Sequence, residues 1–296
     1  ILLTGDSLTQ GSDGDFTWRY RLWHFLSGVQ VDFVGPRDDL FDQDTQSHGC
    51  HLYADPAFDP DHAAVSGTAF LVAPYSAEEL ISTYHPSVVV QAAGINDLVW
   101  LQRTPAAVAA DAGEFVRRAR SVDADVDVIL VPLPQLWFAQ VIEYNRLLRD
   151  VAAQLDTPTS RVTAAATDQG IALSVDTYDL VHLASTGEVT FAAAVADALS
   201  SLASARRRHG RCRRSPTVHA RSPRSASGRG SGRSCSHGPT RRVGQRSTRG
   251  YATPPPGGPG AGCRSPCSGA VLCGVAWFPG TATPSACRRP RRRPSR

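Results

Sequence analysis

A serine, an aspartate and a histidine are spaced along this sequence in a way that could support acyl transfer. Ser7 follows a short apolar run, within Gly-Asp-Ser-Leu, and Asp179 precedes His182 by three positions. A serine hydroxyl becomes a useful nucleophile when an adjacent base takes its proton, and imidazole can do this near neutral pH. A carboxylate within one turn of the histidine can fix the imidazole tautomer. The sequence therefore predicts a nucleophile, an acid/base and its orienting group, with Asp176 as an alternative to Asp179.

Acyl transfer also needs fixed N–H donors for the negative charge that develops on the carbonyl oxygen. The candidates are the main-chain N–H groups of Ser7 and Gly67 and the side-chain amide of Asn96. Asn96 lies in Gly-Ile-Asn-Asp at 94–97, which is also typical of turns, and a single glycine shows only that the backbone there suits a residue without a side chain. Gly49 is a second candidate for the glycine donor.

Apolar strands alternating with amphipathic helices must position these residues. Strands are predicted at 1–4, 29–34, 87–93, 126–131 and about 161–166, and helices at 16–27, 77–84, 105–120, 138–155 and 185–202. Continuous apolar strands between helices indicate a parallel sheet covered on both faces, and right-handed crossovers then give a three-layer α/β/α fold. In such folds ligands bind beyond the carboxyl ends of the strands, and the candidate residues follow those ends.

The charge distribution divides the chain into two segments. Residues 1–204 hold 10 Arg and all 27 Asp and Glu, whereas residues 205–296 hold 21 Arg and no acid. The first segment is long enough for one substantial core. The second is rich in Arg, Pro, Ser and Gly and cannot bury enough apolar surface to offset its ordering entropy. We predict one domain at 1–204 and a tail at 205–296 that is disordered or read from a non-native frame.

Residues 36–68 form a long connection rich in Asp, Pro and His, and such loops are usually functional or disordered. The spacing of the acids fits no EF-hand, so we interpret them as a solvated surface rather than as calcium ligands. Cys50 is the only cysteine of the first segment and predicts no disulfide framework. Cys263 and Cys267 in the tail lack a second suitably spaced pair, so we do not expect a zinc site there.

The sequence contains neither a signal peptide nor a run of about 18 apolar residues, and it therefore predicts no membrane span. It contains no Met and begins inside its first predicted strand, so we expect an N-terminally truncated domain. The arginines of the tail could bind nucleic acid or an anionic membrane by releasing counterions. Because every acid disappears after Leu202, a non-native reading frame is the better interpretation, and nucleic acid is expected as a partner only through this tail.

Taken together, the four motifs resemble those of the SGNH, or GDSL, serine hydrolases. The matching blocks are 5–8, Gly67, 94–97 and 179–182, in that order, so the resemblance spans residues 1–204. It implies a flavodoxin-like α/β/α fold with a central parallel five-stranded sheet. It also implies a monomeric carboxylic ester hydrolase without a metal or organic cofactor.

The resemblance also assigns roles to individual residues. Ser7 is the expected nucleophile, His182 the acid/base and Asp179 its orienting group. The expected oxyanion donors are Ser7, Gly67 and Asn96, and the expected supporting residues are Asp6, Gly94 and Asp97.

A narrower resemblance rests on "GDFTWRYRLWHFL", "VQVDFVGP" and "HAAVSG", which are similar to segments of actinobacterial secreted esterases and lipases and of carbohydrate acetylesterases. It implies an extracellular enzyme for small-acyl esters, including polysaccharide esters. The alternatives are a lipase, a lysophospholipase or an acyltransferase with the same residues, and a carbohydrate-binding domain with a polyanion-binding tail. Trp18, Tyr20 and Trp23 recur at helical spacing, and we interpret them as core rather than as a sugar platform.

Overall fold

The computed structural model describes residues 1–212, except for the side chains of Leu71 and of residues 207–212. The predictions for the tail beyond residue 212, including those for Cys263, Cys267 and a polyanion-binding function, lie outside the described residues.

Five parallel strands form the central sheet, in the order β4-β1-β5-β6-β7. The strands are β1 (Leu2–Gly5), β4 (Ala63–Ala64), β5 (Val88–Ala92), β6 (Asp127–Leu130) and β7 (Val162–Ala164). All four residues of β6 are buried, as expected for a parallel strand covered on both faces. The predicted α/β fold class with a five-stranded parallel sheet is confirmed.

Helices cover the two faces of the sheet. They are α1 (Ser7–Gln10), α2 (Thr17–Phe25), α3 (Ala77–Tyr84), α4 (Ile95–Val99), α5 (Pro105–Val122), α6 (Ala139–Leu155), α7 (Leu173–Asp176) and α8 (Ser185–Cys212), with a 3₁₀ turn at Phe70–Val72. Helix α2 packs against α8, while α5 packs against both α3 and α6. Right-handed crossovers place these two groups on opposite faces and give three layers.

Local sequence explains where the helices begin and which face they bury. Helix α5 begins after Thr104, whose hydroxyl accepts the Ala107 N–H at 3.3 Å, and proline occupies its first turn. The residues that α5 buries recur at helical spacing and include Val108, Ala112 and Val116. Trp18 on α2 is 1 % exposed and packs against Phe191 of α8, so its interpretation as core is confirmed.

The predicted strand at 29–34 is wrong. Val34 makes a single parallel bridge to Leu2, and no strand forms over 29–34. The Phe33 N–H, which a longer strand would direct to a neighbour, donates to Asp59 Oδ2 at 2.7 Å. Strand β4 takes the position beside β1 instead. Phe33 is buried whereas Val29 is 64 % exposed, so the apolar residues at 29–34 do not form the buried strand that their pattern predicts.

The long connection at 36–68 is structured. It contains an antiparallel hairpin, β2 (Leu40–Asp42) and β3 (Ser47–Cys50), before the chain enters β4. Leu40 and Phe41 are buried, so the hairpin is anchored in the body of the protein.

Helix α8 continues to Cys212, past the boundary predicted at residue 204. Arg206 Nε lies 2.5 Å from Asp127 Oδ2, so at least one arginine assigned to the tail forms an ion pair with the domain. Composition alone does not mark this continuation, because the arginine-rich end of the helix resembles the sequence that follows it. None of the helices within residues 1–212 has the length and apolarity that crossing a bilayer requires.

Candidate active site

The predicted site residues meet at the carboxyl edge of the sheet. Ser7 begins α1 directly after β1, Asn96 lies in α4 just after β5, and Gly67 follows β4. Asp179 and His182 lie in the segment that leads into α8. The fold thus gathers residues that are far apart in sequence at the edge where α/β proteins bind ligands.

Ser7, His182 and Asp179 form a continuous hydrogen-bonded chain. His182 Nε2 lies 2.9 Å from Ser7 Oγ, and His182 Nδ1 lies 2.6 Å from Asp179 Oδ2. Both distances are within the reach that proton transfer and ring orientation require. Because Asp179 accepts a hydrogen bond from the Nδ1–H group of His182, this arrangement leaves Nε2 as the acceptor that faces the serine.

The main chain fixes the Asp179 carboxylate from its other side. Asp179 Oδ1 accepts the N–H groups of Val181 at 2.9 Å and His182 at 2.7 Å. Burial alone would raise the pKa of Asp179, but its hydrogen bonds to the His182 ring and these N–H groups hold that pKa below its usual range. Asp176, the alternative orienting group, instead accepts the Ala172 N–H at 2.8 Å.

Asp6 supports the turn that presents Ser7. Its side chain is fully buried, and Oδ1 accepts the Leu8 N–H at 3.1 Å, which caps α1. Burial raises the pKa of Asp6 to about 7, with the Leu8 hydrogen bond opposing the shift. The buried Asp6 side chain thus stabilises the turn that carries Ser7 by accepting a main-chain hydrogen bond.

Residues 65–68 form a turn in which almost every main-chain N–H is bound. The bound groups are Val65 N–H to the Gly5 carbonyl at 3.1 Å, Ser66 N–H to Gln10 Oε1 at 2.7 Å and Thr68 N–H to the Val65 carbonyl at 3.2 Å. The Gly67 N–H has no partner within residues 1–212. Gly67 has φ = +78°, a backbone conformation that favours glycine.

Two further N–H donors are free at this edge. Asn96 Nδ2 donates one hydrogen to the Thr68 carbonyl at 2.8 Å, and its second hydrogen has no partner in the described part of the chain. The main-chain N–H of Ser7 also has no acceptor among residues 1–212. Gly49, the alternative glycine, has its N–H bound to Asp39 Oδ2 at 2.6 Å, which favours Gly67 as the donor.

Asp97 and Gly94 shape the turn that carries Asn96. Asp97 is buried and accepts the Phe70 N–H at 3.0 Å and Arg103 Nη1 at 2.7 Å. Burial raises the pKa of Asp97 against the effect of these two hydrogen bonds. A Cβ atom at Gly94, where φ is +127°, would lie 3.0 Å from the Tyr144 ring, so glycine lets the chain pass that side chain.

Sequence reasoning missed the side chains that hold the His182 segment. Gln135 Nε2 and Trp137 Nε1 donate to main-chain carbonyls of that segment, at Val181 (2.7 Å) and Leu180 (3.1 Å). Both donors follow the end of β6, and in the sequence only this position after a strand marks them as candidate site residues. Asn145 fixes the start of the loop that carries Gln135 and Trp137, because its side chain bonds both main-chain groups of Leu133 at 2.8 Å.

A buried glutamate shares a small cavity with Ser7 and His182. Glu188 Oε1 accepts the Thr17 N–H at 2.8 Å, and Glu188 Oε2 lies 3.4 Å from Arg21 Nε. Burial, helped by the charge of Asp15, raises the pKa of Glu188 to about 7. Thr17 has φ = +74°, which is rare for a β-branched residue, so Glu188 binds the backbone at a strained point.

A Glu188→Gln variant is expected to lose less stability than the wild type when the pH rises from about 4.5 to 7. The pKa of Glu188 rises on folding from an ordinary value of 4.5 to about 7. The folded state therefore binds the proton more tightly, and the free energy of unfolding falls as pH rises through this window. Glutamine keeps an oxygen for the Thr17 N–H without burying a charge. We expect the variant to unfold at a higher temperature than the wild type at pH 8.

The comparison is thermal unfolding of both proteins, followed by circular dichroism, at pH 8 and at pH 4.5. Because the glutamate is protonated in the folded state at the lower pH, the advantage of Glu188→Gln should disappear there. An advantage of the same size at both values would show that the ionisation of Glu188 does not affect stability.

No family model matches the sequence, and no curated protein matches it significantly. Solved structures do match it. A carbohydrate esterase family 3 protein from Talaromyces cellulolyticus is 25 % identical over 68 % of this chain and 96 % of its own, with a TM-score of 0.58. A family 3 carbohydrate esterase from Clostridium thermocellum is 22 % identical over 69 % of this chain and 98 % of its own, with a TM-score of 0.56. An acetyl esterase mutant with an acetate ion is 24 % identical over 68 % of this chain and 96 % of its own, with a TM-score of 0.58. The chain has the SGNH/GDSL hydrolase fold, as its motifs predicted.

Proposed function

We propose that this protein is a serine ester hydrolase that acts through an acyl-enzyme on small-acyl esters, including acetylated carbohydrate. The observation that carries the proposal is the hydrogen-bonded chain from Ser7 through His182 to Asp179, with distances of 2.9 and 2.6 Å. Three free N–H donors on neighbouring turns complete the set of groups that acyl transfer needs.

In the proposed first half-reaction, Ser7 Oγ attacks the ester carbonyl carbon while His182 Nε2 takes the hydroxyl proton. The carbonyl oxygen becomes an oxyanion that accepts hydrogen bonds from the free N–H groups. His182 then returns the proton to the alcohol oxygen as the carbon–oxygen bond breaks. Throughout these steps Asp179 stabilises the imidazolium and keeps its orientation.

In the second half-reaction, water attacks the acyl carbon and gives a proton to His182. The tetrahedral intermediate collapses, the bond from Ser7 Oγ to carbon breaks, and His182 returns its proton to the serine. The products are a carboxylic acid and the free enzyme. Replacing water by another alcohol would give acyl transfer with the same groups.

The surface around His182 favours a carbohydrate as the alcohol half of the ester. The Tyr178 ring stacks on the His182 ring with centroids 5.7 Å apart, and Trp137 binds the same segment. Tyr178 and Trp137 are 52 % and 54 % exposed, so part of each ring is open to solvent. In the proposed mechanism His182 protonates the departing alcohol, so we place the sugar of that alcohol against these two rings, since an aromatic face suits the apolar face of a sugar ring. The structural neighbours named as carbohydrate esterases support the same substrate class.

A Trp137→Ala variant is expected to raise KM for acetylated xylan about tenfold, because it removes an apolar contact for the sugar worth about 1 kcal/mol or more. KM for ethyl acetate, whose alcohol carries no ring, should change less than threefold. Trp137→Phe keeps a ring without the N–H and should retain most of the preference for xylan. The measurement is acetate release from both substrates over a range of concentrations.

Phe25→Ala is the matched control, because Phe25 is also exposed but lies at the far end of α2. It should leave both KM values unchanged. If Trp137→Ala raised KM for xylan and for ethyl acetate equally, Trp137 would only hold the His182 segment and would not bind the sugar. A folded wild type that hydrolyses no ester but binds xylan would instead support a carbohydrate-binding domain.

A further inference from the structure

We propose that Gln10 positions the Gly67 N–H for the oxyanion, an inference that rests on the proposed hydrolase function. Gln10 is the last residue of α1, the short helix that begins with Ser7, and its side chain is fully buried. Its Oε1 accepts the Ser66 N–H at 2.7 Å. One side chain thus joins the helix of the nucleophile to the turn that carries the second oxyanion donor.

The turn at 65–68 explains why this contact matters. Thr68 N–H donates to the Val65 carbonyl, and φ of the third residue, Gly67, is +78°, as in a type II turn. The Gly67 N–H belongs to the central peptide of that turn, which the turn's own hydrogen bond leaves unbound. Its direction therefore depends on how the turn is anchored to the rest of the protein. Gln10 supplies the side-chain anchor one residue before Gly67.

The other end of the Gln10 amide fixes which atom faces the turn. Gln10 Nε2 donates to Asp39 Oδ2 at 3.1 Å, and Asp39 is buried. The same oxygen accepts Arg37 Nη2 at 2.5 Å and the Gly49 N–H at 2.6 Å. Because the carboxylate can only accept from the amide nitrogen, the amide oxygen must face Ser66.

The Gln10 oxygen also lies near a histidine of the hairpin. His48 Nδ1 is 3.2 Å from Gln10 Oε1, and burial together with the charge of Arg37 lowers the pKa of His48. A neutral His48 can donate to that oxygen without competing with the Ser66 N–H, since the amide oxygen has two lone pairs. The contacts of Gln10 thus link Asp39 and His48, at the start of the 36–68 connection, to the oxyanion turn at its end.

Gln10 touches no reacting atom and acts through the backbone, so it is a positioning residue. Loss of an oxyanion donor reduces kcat by about 10² to 10³, and a displaced donor should cost less. We expect Gln10→Met, which is similar in length but lacks the amide, to lower kcat for p-nitrophenyl acetate by about 10- to 100-fold. KM should change less than threefold, because ground-state binding of the ester does not depend on this donor.

A tetrahedral mimic separates positioning from a general structural effect. Methylboronic acid forms a bond between boron and Ser7 Oγ, with the serine proton passing to His182, and its oxygen occupies the oxyanion position. In Gln10→Met its inhibition constant should rise in proportion to the fall in kcat. Gln46→Met is the matched control, because Gln46 also lies in the 36–68 connection but is exposed and donates to the Gln43 carbonyl at 2.7 Å, and it should change neither value more than twofold.

A second variant tests the route through the Ser66 N–H. Ser66→Pro removes that N–H, while proline favours the second position of a type II turn. In this background Gln10→Met should cost less than threefold in kcat. An equal cost in both backgrounds would overturn the proposal, as would a folded Gln10→Met variant with kcat within twofold of the wild type.

NMR of the wild type keeps the proposal testable if Gln10→Met does not fold. The Ser66 amide should be protected from hydrogen exchange, and the Gly67 amide should be unprotected until methylboronic acid binds, when its resonance should shift. A Ser66 amide that exchanges freely would overturn the role of Gln10. A folded wild type that neither hydrolyses esters nor binds the boronic acid would contradict the proposed function itself, so the two failures are distinguishable.

Discussion

Replacing Ser7 with alanine should reduce kcat for p-nitrophenyl acetate by about 10⁴-fold or more, since no other group in the proposed mechanism forms the acyl-enzyme. The Ser7 hydroxyl makes one hydrogen bond in the described structure, to His182 Nε2. Its loss should therefore leave thermal unfolding nearly unchanged. The measurement is initial hydrolysis rates of the acetate and butyrate esters by wild type and variant, with circular dichroism as the control for folding.

Turnover in Ser7→Ala close to that of the wild type would reject Ser7 as the nucleophile. An inactive wild type with an intact fold would favour the carbohydrate-binding alternative. Faster turnover on butyrate and longer esters than on acetate would favour the lipase alternative over a small-acyl esterase.

Asp179→Asn should lower kcat at pH 7 by about 10³- to 10⁴-fold, for a reason specific to this site. Two main-chain N–H groups bind Oδ1, so the amide oxygen of the asparagine must take that position. The amide nitrogen then faces His182 Nδ1 and donates to it. The imidazole proton is forced onto Nε2, which can no longer accept the proton of Ser7.

Asp176→Asn is the matched control for this substitution. Asp176 lies three residues before Asp179, but its carboxylate accepts the Ala172 N–H and has no contact with His182 among the described residues. This variant should keep kcat within threefold of the wild type. A large loss in Asp176→Asn with little loss in Asp179→Asn would reverse the assignment of the orienting group.

The candidate site residues that could be predicted from the sequence are those in short motifs that follow the ends of strands. Ser7, Asn96 and His182 could be placed at one edge because parallel strands bring their carboxyl ends together. Gly67 was harder to identify, since any glycine in the long connection was a candidate. Its assignment became firmer because the Gly49 N–H is bound in the structure and the Gly67 N–H is free.

Contacts between distant loops carried no local signal and could not be predicted. Gln10 and Gln135 act through hydrogen bonds to main-chain groups 56 and 46 positions away, and no periodicity or spacing in the sequence encodes such pairs. The strand error at 29–34 has a related cause, because an apolar segment of strand length does not show which neighbour it pairs with.

Covalent labelling with a fluorophosphonate, followed by mass analysis of the peptides, tests directly whether Ser7 is the nucleophile. In the reaction Ser7 Oγ bonds to phosphorus, fluoride leaves, and His182 takes the serine proton. We expect one adduct on the peptide containing Ser7, no adduct in Ser7→Ala and much slower labelling in Asp179→Asn. An adduct on another serine, or none in a folded wild type, would contradict this assignment.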